Sequence, residues 1–146
     1  MAKFVFSPRY PHLLPEELRH PDLDTLGRII LNPDGPGWQF SEAGIDYVFD
    51  TGRYHPLIVI RHPELGYYLQ FLGGEGRFGP EDIWLSLGDR SRLGEVVCPD
   101  DWQASAGLFV PLPLAWEAIR HFCTSGDRSA AIEWINPQDM PENGNW

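Results

Sequence analysis

The sequence predicts an α+β domain: a mostly antiparallel sheet of about six to seven short strands, with an N-terminal and a C-terminal helix packed on it. Three observations lead there. Apolar residues recur with helical spacing near the two ends of the chain. Between Trp38 and Val110, short apolar runs alternate with clusters of Gly, Pro, Asn and Asp. Finally, "HPLIVIRHPELGYYLQFLGG" holds two apolar runs joined only by His62-Pro63-Glu64-Leu65-Gly66. Strands that close in sequence pair antiparallel, because a parallel crossover takes about a dozen residues or more.

The first twenty-one residues carry four prolines and two histidines and read as an extended arm laid on the body. In "PDLDTLGRIILNPDG", Leu23, Leu26, Ile29 and Ile30 share one helical face. Asp22 or Asp24 is placed to cap its start, and Asn32-Pro33-Asp34-Gly35 to stop it. Gly27 inside it carries the usual helix cost of about 1 kcal/mol relative to Ala. Strands are expected at 38–41, 46–50, 57–61, 67–72, 83–87, 95–98 and 107–110. A second helix is expected over 113–124, opening on Pro113, where a missing amide donor is tolerated. Ala115, Ala118, Ile119 and Phe122 form its buried stripe, Glu117 and Arg120 face water, and Gly126 is placed as a left-handed cap. "AAIEWI" returns as a strand. The organisation is an arm over 1–21, one α+β domain over 22–136 and a polar tail over 137–146. Gly-Asp-Arg-Ser occurs at 88–91 and again at 126–129, both at turns, and four residues do not make a repeat unit.

A chain of 146 residues with an apolar fraction of 42% and six tryptophans can bury a core. Its net charge of −10 speaks against direct binding to nucleic acid or anionic lipid, which needs clustered cations. The same charge suits a basic partner, and in the plainest reading it only keeps the protein soluble. Ten of the eleven cations are arginine, and Lys3 is the single lysine. Cys98 and Cys123, both in apolar surroundings, are expected to be reduced, buried thiols. "MAKFVFSPRY" lacks the charge-then-apolar pattern of a secretory signal, and "GLFVPLPLAW" is too short to span a bilayer. A soluble, cytoplasmic protein is expected.

"GGEGRFGPEDIWLSLGD" contains a literal G-x-G-x-x-G at Gly74, Gly76 and Gly79. A dinucleotide fingerprint needs a helix starting at the glycines, but here Pro80-Glu81-Asp82 leads into the strand-like "IWLSL". A kinase glycine loop needs a lysine on the following strand, and none follows Lys3. The loop therefore reads as a turn. Histidines 12, 20, 55, 62 and 121 show no paired spacing, and His121 and Cys123 point in different directions on a helix. His121 is better placed to face the carbonyl end of its own helix. With no G-x-S-x-G elbow and no H-E-x-x-H pair, no catalytic, cofactor or metal residue is assigned.

"LFVPLPLAWEAIRHFCTSGDRSAAIEWI" resembles the signature of the first-numbered Imm family of bacterial immunity proteins. The matching positions are Ala115, Ala118, Ile119, Phe122, Thr124, Gly126 and Trp134. "DLDTLGRIILNPDGPGWQF" is similar to the family's opening helix and tryptophan strand, and "LGYYLQFLGG" and "DIWLSLGD" to its central strands. The likeness covers residues 22–136; the proline-rich start and the insertion from Glu75 to Asp82 depart from it. It implies a non-enzymatic protein that neutralises the C-terminal domain of a secreted polymorphic toxin inside the producing cell. Such toxins often attack nucleic acids, as deaminases and nucleases do, and are commonly basic for that reason.

The expected mechanism is stoichiometric occlusion of the toxin's active or substrate-binding site, with no cofactor, no nucleic acid and no membrane involved. A monomer when free and a heterodimer with the toxin fit this reading, although the sequence leaves oligomeric state open. Glu75, Glu81, Asp82, Asp89, Asp100 and Asp101 would pair with toxin cations, with Arg77, Trp84 and Trp102 as anchors beside them. In the plainer reading Trp84 is core and the carboxylates are solvated turns. The competing class is a small-molecule enzyme or ligand-binding module with a pocket between the sheet and the C-terminal helix. A third is a structural or tail-associated interaction protein.

Overall fold

The computed structural model describes residues 3–7, 11–32, 38, 42–74, 79–99 and 102–146. In chain order the elements are β1 (Lys3–Phe6), α1 (Leu23–Leu31), β2 (Glu42–Val48), β3 (Tyr54–His62), β4 (Gly66–Leu72) and β5 (Ile83–Leu87). There follow β6 (Val96–Val97), β7 (Ala104–Ser105), α2 (Leu112–Ser125) and β8 (Glu133–Ile135). Six strands form one antiparallel sheet in the order β1-β2-β3-β4-β5-β8, and β6 and β7 pair as a small second sheet. The class is α+β.

Side-chain alternation divides the large sheet into two packed faces. Ile45, Leu57, Val59, Leu69 and Phe71 pack against Leu26 and Ile30 of α1 and Ala115, Ile119 and Phe122 of α2. On the opposite face Ile60, Tyr68, Leu85 and Ile135 are covered by Leu93, Ala104, Leu108 and Phe109. Both helices thus lie on one face, and the chain between β5 and α2 covers part of the other. Ser86, fully buried in β5, links the layers: its hydroxyl donates to Leu108 O (2.6 Å) and accepts from Leu69 N (2.9 Å). A buried hydroxyl with both bonds made avoids the penalty of an orphaned polar group.

Asp22 caps α1 by accepting from Thr25 N at 2.8 Å, a bond that lowers its pKa from the ordinary 3.8. Gly27 has a packing reason: a Cβ there would stand 2.9 Å from the Trp116 ring, so its absence lets α1 and α2 approach. Trp38 is buried with its indole N–H donated to Ile29 O at 3.0 Å. The rest of the expected strand at 38–41, and Pro33 to Gly35 of the expected helix stop, lie outside the described residues.

Several expected elements change. Lys3–Phe6, read as arm, is an edge strand paired with β2, and Phe6 is in the core. The four prolines all come later, so nothing in 3–6 prevents pairing. The strand expected at 46–50 begins at Glu42, because Ala43, Ile45 and Tyr47 already alternate inward. The strand expected at 107–110 is a 3-10 turn over Ala106–Leu108, with Val110 bridging Tyr67. There the Gly107 carbonyl accepts from both Gly88 N (2.8 Å) and Asp89 N (2.9 Å), which folds the segment against the end of β5. α2 begins at Leu112 and has Pro113 as its second residue. The tail lies on the body: Pro137–Asp139 form a 3-10 turn, and Asn145 O accepts from Ser105 N of β7 at 2.9 Å. Cys123 is buried as expected, but Cys98 is exposed just beyond β6, a strand of two residues.

Candidate functional site

The expected interface residues that the structure holds together lie where the β4–β5 connection meets the end of α2. Gly73 N donates to Asp82 O at 2.9 Å, and Pro80–Asp82 form a single 3-10 turn leading into β5. Gly79 is therefore followed by a turn and a strand, as expected of a loop without a phosphate-binding helix. From the other side Asn136, just after β8, donates its amide to Pro80 O (2.8 Å) and Ile83 O (3.2 Å). The acidic turn is clamped between two parts of the chain, with Glu81 exposed and Asp82 half-buried. Trp84, one residue into β5, is half-buried on the face that carries the helices.

α2 delivers the other half. It ends on Gly126, whose φ of 74° is the left-handed conformation that glycine adopts without strain and whose N–H closes on Phe122 O at 2.8 Å. Asp127 Oδ1 accepts from Arg128 N at 2.7 Å, and this turn carries Arg128 across the end of the sheet. Its guanidinium carbon lies 4.1 Å from the centroid of the Trp84 ring and 6.0 Å from that of Phe71. Arg128 Nε is buried and has no hydrogen-bond partner among the described residues. His55, near the start of β3, meets the same cap: its Nδ1 is 2.8 Å from Gly126 O. A carbonyl can only accept, so Nδ1 carries a proton, and in the uncharged tautomer this leaves Nε2 as an acceptor. The ring stands edge-on to Phe49 (4.9 Å) and Phe71 (5.4 Å). Together these groups line an open cavity of about 320 Å³, bordered also by Asp82, Ser125 and Asp127.

The other expected residues are placed apart. Asp89 lies beyond the far end of β5, a strand of roughly 16 Å that separates it from Asp82. It accepts from Ser91 N (3.0 Å) and Ser91 Oγ (2.6 Å), bonds that lower its pKa from the ordinary 3.8. Trp102 is half-buried against the core of the opposite face, so the two tryptophans serve different faces. Glu75, Arg77, Asp100 and Asp101 lie outside the described residues. The sequence reading missed Arg128, His55, Phe49 and Phe71. Alternation along β3 puts His55 on the face of Leu57 and Val59, a signal that was legible; nothing local marks Arg128.

A second cavity of about 560 Å³ lies at the β3–β4 turn, lined by Arg61, His62, Glu64 and Leu112 among others. Among the described residues no cluster of three His, Cys, Asp or Glu side chains could hold a metal ion, and no helix is long and apolar enough to cross a membrane. No family model matches the sequence, and neither a curated protein nor a solved structure matches it.

Proposed function

We propose that the chain is an immunity protein, which binds a cognate toxin domain inside the producing cell and blocks its active or substrate-binding site one-to-one. Its partner would be a basic, nucleic-acid-targeting domain such as a deaminase or nuclease, and the chain itself makes or breaks no bond. The supporting observation is the clamped acidic turn: Gly73 N on Asp82 O, and Asn136 on Pro80 O and Ile83 O, fix the backbone that presents Glu81 and Asp82 beside the Trp84–Arg128 pair. A backbone already fixed in place loses little conformational entropy on binding, so a clamped turn carrying acids beside an aromatic favours tight association. A net charge of −10 adds long-range attraction for a cationic domain.

Nanomolar protection corresponds to about −12 kcal/mol, within reach of a standard interface of roughly 1,600 Å² with a few strong anchors. The test is co-expression with the toxin domain encoded next to this gene. Rescue of growth together with a one-to-one complex is the expected result. Continued toxicity without complex formation would sink the reading.

A further inference from the structure

Arg128 is oddly provided for in so acidic a chain. Asp82 and Asp127 line the same cavity, yet among the described residues the guanidinium makes no ion pair and Nε no hydrogen bond. Nε is sealed from solvent, but Arg128 as a whole is half-buried and lines the cavity, so its terminal N–H groups are what an incoming acceptor can meet. A guanidinium over an aromatic face keeps its N–H edge free, and the group that matches that fork is a carboxylate.

The rest of the cavity asks for the opposite charge. Asp82 is an anion on its wall, His55 Nε2 is an acceptor while Nδ1 is committed to Gly126 O, and α2 ends here with its partial negative charge. Phe49, Phe71 and Trp84 supply apolar walls for carbon atoms between the two charges. The volume of about 320 Å³ is that of a small-molecule site, at the low end of the range of roughly 300–1,000 Å³.

We propose that this cavity binds a small zwitterion of amino-acid type, its carboxylate on Arg128 and its ammonium on Asp82 and His55. Toxin binding is not required for this, and the two ideas stand or fall separately.

The test titrates the ¹⁵N-labelled full chain with L-alanine and L-serine, and with acetate and methylamine as the two half-ligands, at constant ionic strength. The Arg128 Nε–H signal is the reporter. With the amino acids it should shift and saturate at millimolar concentration or below. Arg128→Gln should weaken binding at least tenfold, whereas Arg90→Gln, in the exposed copy of the same tetrapeptide, should leave it unchanged. Asp82→Asn should act with opposite signs: weaker for the amino acids, tighter for acetate, which Asp82 repels. Linear, unsaturating shifts with both amino acids would overturn the proposal, and that result needs only the wild-type protein should a variant fail to fold. Equal losses for acetate and the amino acids in Asp82→Asn would overturn it too.

Discussion

Replacing Gly126 by Ala tests how the fold builds this end of the molecule. Two effects add. An L-residue held at φ 74° is disfavoured by about 1–2 kcal/mol relative to glycine. The new Cβ would also run into the Tyr47 ring, itself 92% buried against Phe122 and Phe49; overpacking of this kind costs about 1–3 kcal/mol. The expected loss is about 3 kcal/mol, a fall in melting temperature of roughly 10 °C for a domain of this size. Urea denaturation followed by tryptophan fluorescence gives the free energy, and a thermal melt gives the second reading. Gly126→Asn separates the two effects, since Asn tolerates the left-handed region but keeps the Cβ, and it should recover about 1 kcal/mol. If Ala lies within about 0.5 kcal/mol of the wild type, neither the cap nor the Tyr47 contact has the role assigned to it.

Other outcomes follow from single groups. Trp38→Phe removes one of two donors to the Ile29 carbonyl, which keeps Asn32 N at 3.3 Å, and should lower stability by about 0.5–1.5 kcal/mol in urea denaturation. Only one thiol should react with Ellman's reagent at pH 8 in the native protein, and two in urea: Cys98 is exposed, whereas burial raises the Cys123 pKa to about 12. The carboxyls of Asp22, Asp89 and Glu95 all have lowered pKa values, through bonds from Thr25, Ser91 and Arg92. Folded values below unfolded ones mean that their stabilisation is full above about pH 4.5 and is lost as pH falls through the folded values. The stability gap between wild type and the Asp22→Asn, Asp89→Asn, Glu95→Gln triple variant, measured by urea denaturation, should therefore be constant down to about pH 4.5 and narrow steadily as pH falls below it.

Much of the fold was legible because local patterns and tertiary packing agree. β5 matches its expected bounds, and the β3–β4 hairpin follows from two apolar runs too close to pair otherwise. Asp22 and Gly126 announced the ends of their helices by their own chemistry. The misses arose where contacts distant in sequence decide. Prolines drew attention away from "KFVF", whose partner β2 lies about forty residues on. Gly107 bends to the amides of Gly88 and Asp89, which no window around residues 107–110 can reveal.

The site divides the same way. Asp82 and Trp84 were visible as an acid and an aromatic in one turn, but the cavity they line is completed by His55 and Arg128, brought there by the sheet and by the left-handed cap. The two Gly-Asp-Arg-Ser copies make the point: Arg90 is exposed after β5, while the same residue type at 128, placed after a helix, sits over Trp84.

The central claim is that the clamped acidic turn meets a cationic toxin surface. Stopped-flow mixing of the cognate toxin domain with wild type and with the Glu81→Lys, Asp82→Lys variant, at low and at physiological salt, tests it most directly. Association should slow at least tenfold in the variant and lose most of its salt dependence. An unchanged rate with an unchanged salt slope would contradict it.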